Sequence, residues 1–270
     1  MLITRSMIVM HGPCSNGLDW FDENFPSGQG EYQEILDRTV TAGVPEYGHW
    51  LLNKFGATTD TVTIDHITGD RLFCGSVVAE DGDCGTLQVA GSLTVGEYLN
   101  VGQSLTVGES LTVGKSLTVG ESLTVGRYLN VGWSLNVGRS LNVGESLTVG
   151  ESLTVGWYLN VGEYLNVGQS LTVGESLTVG QSLTVGESLT VGRYLNVGWS
   201  LTVVRSLDVG ESLTVGRSLA VGKSLTTNTD YPFLVGTKVK MADWPTNGYL
   251  KAAVKPANML SGHFIERSSK

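Results

Sequence analysis

Four histidines (His11, His49, His66, His263) and three cysteines (Cys14, Cys74, Cys84) are the side chains of this 270-residue chain best suited to proton transfer or metal binding. A zinc site needs several such ligands at tight spacing. His11, Cys14 and His49 do not have it, so they read as ordinary core and surface residues. Cys74 and Cys84 are expected in adjacent irregular turns as free thiols, because three cysteines cannot build a disulfide framework. Asp60, Asp65 and Asp70 read as turn residues. No catalytic residue, cofactor or metal is assigned. Two surface arrays remain: Ser-x-Thr pairs such as Ser104 with Thr106, and the tryptophans Trp133, Trp157 and Trp199, which could meet a sugar or a partner surface.

None of the histidines lies in 86–229, where the chain is 24 consecutive hexads of the form Ser-Leu-Thr-Val-Gly-x. Leucine keeps its place in all 24 and valine in 23, with Thr227 the exception. Glycine fills the fifth position in 21, and Ala90, Val204 and Asn228 depart from it. Apolar residues two apart describe a three-residue strand with Leu and Val inward and Thr outward. Gly-x-Ser is then the turn, with glycine expected to supply unusual backbone angles. A helix is excluded, since six is not a multiple of about 3.6 and a glycine in every hexad would cost about 1 kcal/mol each time.

The variable column decides the coil length, because residues one coil apart stack about 4.8 Å from each other. A 12-residue coil would stack nine like-charge pairs against two opposite ones. An 18-residue coil gives seven opposite pairs and two like ones. The seven are Glu97 with Lys115, Glu109 with Arg127, Arg127 with Glu145, Glu121 with Arg139, Glu175 with Arg193, Arg193 with Glu211, and Glu187 with Arg205. It also sets Lys115 beside Trp133, Arg139 beside Trp157 and Arg217 beside Trp199. Like charges stacked directly are destabilising, so the three-sided coil is expected. Eight such coils would stack over about 38 Å.

The Val107-Gly-Glu-Ser-Leu-Thr112 pattern resembles the hexapeptide-repeat, left-handed β-helix superfamily, over 144 of 270 residues. The resemblance implies a triangular solenoid, with left-handed winding favoured. Leucine stands where that family prefers smaller residues, so the interior is fuller, and a right-handed solenoid of the bactofilin kind stays open. The chain is also similar to G-S-L-T-V-G-G arrays of uncharacterised phage and bacterial proteins. Acyltransferases of the superfamily use a coil-surface histidine beside an extruded loop, and its trimeric carbonic anhydrases bind zinc through three histidines. This repeat has neither histidine nor insertion, so no enzyme is expected.

Segments 97–162 and 163–228 align over 66 residues, or eleven hexads. Eleven hexads are three coils and two thirds, so the second copy is rotated by two faces. A binding site confined to one face would not survive that rotation.

The expected organisation is a helical capping module at 1–56, irregular first coils at 57–85, the regular solenoid at 86–229, and a C-terminal cap or tail at 230–270. Helices are expected near 17–25, 31–41 and 45–55. Residues 1–84 carry 13 acidic and 4 basic side chains, the repeat 10 and 7, and the tail 3 and 6. Without a basic stripe or an apolar run of about 18 residues, neither nucleic acid nor membrane is an expected partner. The first ten residues do not read as a signal peptide, which points to the cytoplasm. The expected role is a non-enzymatic structural or protein-interaction rod, meeting a protein partner or its own kind through the solenoid ends. The alternative is a binding module, for ice through the Ser-x-Thr arrays or as an acidic DNA mimic.

Overall fold

Each hexad forms a short strand; in Leu93–Val95 and Leu111–Val113, as in most, leucine and valine are buried and the residue between them is exposed. The computed structural model, which describes residues 1–266, pairs the strands within the regular repeat in parallel at a spacing of 18 residues. Leu111 lies opposite Leu93 on one side and Leu129 on the other, and Thr112 opposite Thr94 and Asn130. Leucine therefore stacks on leucine and valine on valine through one continuous core. Burying each leucine side chain contributes about 1.5–3 kcal/mol.

The strands form three ladders. The first face is an 11-stranded sheet running from Arg71–Phe73 to Met259–Ser261, so the solenoid makes about eleven turns. The second and third faces share one 20-stranded sheet because Ser76–Cys84 turns a corner. Its first half pairs with Leu93–Val95 and its second with Leu99–Val101. Backbone hydrogen bonds continue round the corners: Gly114 N donates to Val95 O (2.9 Å) and Lys115 N to Glu97 O (2.9 Å). Corners as well as strands thus satisfy their amides, which removes the main cost of a chain that turns so often.

The glycine expectation needs correction. No hexad glycine has a positive φ. A Cβ on Gly126 would instead collide with the carbonyl oxygen of Gly108 one coil below, and the same holds from Gly108 to Gly216. Glycine answers to close stacking of backbones, and not to the angle of the turn.

The N-terminal module contains the three expected helices, Ser15–Asn24, Tyr32–Thr41 and Pro45–Phe55. It adds a fourth, Arg5–Met10, and an antiparallel ribbon of Leu2–Thr4 with Gln29–Glu31. Gly56, at φ 68°, ends the last helix in a conformation that favours glycine. Ile3, Phe21, Tyr32, Ile35, Leu36 and Leu52 bury together with Leu72 and Cys74 of the first coil. Gln33 fastens the junction: its Nε2 donates to Leu72 O (2.7 Å) and its Oε1 accepts from Cys74 N (3.1 Å). One side-chain amide thereby pairs two backbone groups at the edge of the first face.

At the other end the tail continues the coil. Phe233–Val235 and Met259–Ser261 extend the first face, while Tyr249–Ala252 and His263–Glu266 extend the second. Phe233 and Leu250 fill the leucine positions. Between these strands a short excursion is held by Trp244 Nε1, which donates to Gly236 O and Val239 O (3.2 Å each).

Candidate functional site

The side chains that distinguish one coil from the next sit on the three corners. Six of the seven expected ion pairs form: Lys115 with Glu97 (2.7 Å), Arg127 with Glu145 (2.9 Å), Arg139 with Glu121 (3.5 Å), Arg193 with Glu175 (3.3 Å) and with Glu211 (2.9 Å), and Arg205 with Glu187 (3.1 Å). The pair of Glu109 with Arg127 is not among them. Arg127 turns toward Glu145, and Glu109 accepts from Ser92 Oγ (3.2 Å). Arg127 serves the carboxylate beside Tyr128, whereas Arg193 pairs with both of its carboxylates. Tyr128 and Arg127 together hold the Glu145 carboxyl below its usual range. Tyr194 and Arg193 do the same for Glu211. Arg127, Tyr128 and Glu145 recur 66 residues on as Arg193, Tyr194 and Glu211, so the duplication copied this clasp onto a different corner.

Trp133, Trp157 and Trp199 are 46%, 50% and 39% exposed. Each lies by its expected cation: Lys115 at 5.7 Å, Arg139 at 5.5 Å and Arg217 at 4.6 Å from the respective rings. They occupy three corners and form no common platform. Lys115 also lies 4.9 Å from the Tyr98 ring, and Tyr98 meets Trp133 edge-on at 6.2 Å. Sequence reasoning missed this role of the tyrosines, although each follows a residue of the variable column (Glu97, Arg127, Trp157, Glu163, Arg193).

The outer columns of the faces are polar and flat. On the first face Asn160 Nδ2 donates to Asn142 Oδ1 (3.0 Å), so neighbouring amides satisfy each other along the ladder. The edge at Thr61–Thr68 differs: it pairs on one side only, with Ser76–Cys84, and leaves Val62 and Ile64 half-buried. His66 on this edge is hydrogen-bonded to Asp81, which raises its pKa.

The remaining titratable groups are dispersed. His49 bonds Gln88, His11 meets the Phe55 ring edge-on at 5.0 Å, and Asp70 Oδ1 accepts from Thr86 N (2.7 Å). Cys14, Cys74 and Cys84 are free, with Cys74 in the cap cluster and Cys84 in the coil interior. Burial pushes the Cys84 thiol up to about 11 and raises that of Cys74. Among the described residues no group of three or more His, Cys, Asp or Glu is placed to hold a metal, and no helix is long and apolar enough to cross a membrane.

Fold and surface together define a parallel β-solenoid repeat protein with a helical N-terminal module. No family model matches the chain, and no curated protein or solved structure matches it.

Proposed function

We propose that the chain is a non-enzymatic structural or protein-interaction rod, akin to hexapeptide-repeat solenoids and to the G-S-L-T-V-G-G arrays of phage and bacterial proteins, working in the cytoplasm. The observation that carries this reading is the unbroken ladder from Leu87–Val89 to Ser224–Thr227, whose register never admits a loop. A solenoid of this kind sets distance and presents polar faces, and it offers no enclosed place along the repeat where water could be kept from a reacting group. Ends are where such a rod associates, because an edge strand keeps unpaired amides and carbonyls. Thr61–Thr68 is an edge of this kind, within residues 1–84, whose net charge is −9, and the tail carries +3. Head-to-tail contact between copies therefore joins opposite charges. The corner tryptophans are secondary contacts for a protein partner.

Light scattering across a concentration series tests this. The expected result is an average mass that rises with concentration and falls at high salt, with the rise lost in Thr63→Pro. A strict monomer at every concentration and salt would remove self-association from the reading.

A further inference from the structure

The N-terminal module encloses a cleft of about 490 Å³ that the rod does not require. It lies between Ser15–Asn24 and Pro45–Phe55, and its walls include Trp20, Tyr47, Trp50, Phe21 and Cys14, with Glu46 the lining residue that carries a charge. Tyr47 and Trp50 are three apart on one helix and so share a face. Trp20 reaches across from the other helix, its ring 6.0 Å from that of Tyr47 at 53°. Gly17 faces the Tyr47 ring, where a Cβ would make an ordinary contact of 3.6 Å, and packs more closely on Cys14 Sγ, at 3.1 Å.

We infer that this cleft is an aromatic cage for a small soluble quaternary-ammonium compound. The volume falls within the range of small-molecule sites, roughly 300–1,000 Å³. Electron-rich rings attract a cation through their faces, and a carboxylate among them adds to that attraction. No lysine or arginine lines the cleft. The nearby Arg5 is committed to Asp22 through two hydrogen bonds of 2.7 and 2.8 Å. Residues 1–56 carry seven acidic and three basic side chains, so the module as a whole favours a positive ligand. A sugar would need several convergent donors and acceptors, and the lining supplies chiefly ring surface. A quaternary ammonium needs none, since it makes no hydrogen bonds and sheds water easily.

Choline and its neutral isostere 3,3-dimethylbutan-1-ol separate a cage from a plain apolar cleft. With the full chain, calorimetry should show saturable choline binding at least about fivefold tighter than the isostere, the factor expected of a cation held by ring faces. Trp50→Leu should abolish binding, and the exposed Glu46→Gln should weaken it several-fold with unchanged circular dichroism. Equal or tighter binding of the isostere would overturn the cage, as would no choline binding or full choline binding by both variants. Phosphatidylcholine vesicles form the last arm: sedimentation with vesicles without binding of free choline would also overturn the assignment to a soluble compound.

Discussion

Gly126 sits directly over Gly108, so close that a Cβ on the upper residue would strike the carbonyl oxygen of the lower. The same contact repeats up each corner, yet it is absent at the start of the stack. A Cβ on Gly96 would come no nearer than 3.5 Å to another atom, which is ordinary contact.

Two substitutions at equivalent sequence positions should therefore behave oppositely. Gly126→Ala is expected to destabilise by about 1–3 kcal/mol, as overpacking does. Gly96→Ala should be neutral or stabilising by up to about 1 kcal/mol, since alanine restricts the unfolded chain. Urea unfolding monitored by circular dichroism measures both. Val204, which departs from glycine yet keeps the 3.0 Å amide bond to Val185 O, implies that the corner can yield at a finite cost.

The core ladder predicts a contrast between adjacent residues. Leu147 is fully buried and Thr148 is exposed. Leu147→Ala should cost about 2–5 kcal/mol, and Thr148→Ala should stay within about 0.5 kcal/mol.

Thiol chemistry should resolve the three cysteines. Cys14 is exposed, whereas Cys74 and Cys84 are buried and their thiols are shifted upward by that burial. Ellman's reagent at pH 8 is expected to label one thiol rapidly, with the other two reacting only on unfolding. Three fast thiols would contradict the packing of both clusters.

Protonation should tighten the free edge. The His66 pKa is raised, first by its hydrogen bond to Asp81 and then by the charges of Asp81, Asp65 and Glu80. Its contribution is therefore complete below the unfolded value of about 6.5 and is lost as pH rises through the higher folded value. Amide exchange in Thr61–Thr68, corrected for intrinsic rates, should be slower at pH 6 than at pH 8. His66→Gln should remove the difference.

We expect ice to be a poor partner for the first face. The amides of Asn142 and Asn160 bond to each other and interrupt any threonine lattice on the first face. Thermal hysteresis is expected to match that of buffer, and faceted ice crystals in dilute protein would contradict this.

Much of the solenoid was legible in the repeat itself. In a stack, each residue meets the one a fixed number of positions away, so a period of six and a column of charges were enough to give the 18-residue coil, the Leu and Val core, and the Lys115 contacts with Glu97 and Trp133. Nearest-neighbour geometry makes sequence spacing and spatial spacing the same thing. Only the tertiary structure decided the rest, because it rests on contacts that no period encodes. Arg127 had two carboxylates at equal spacing and pairs with Glu145, while Glu109 accepts from Ser92. Glycine at the corners answered to the carbonyl of the coil below, which is invisible until the coils are stacked. Phe233 and Leu250 entered the leucine column from irregular sequence. Gln33 found the edge groups of Leu72 and Cys74 from a distant helix, and the rings of Trp20 and Tyr47 met only when two helices packed against each other.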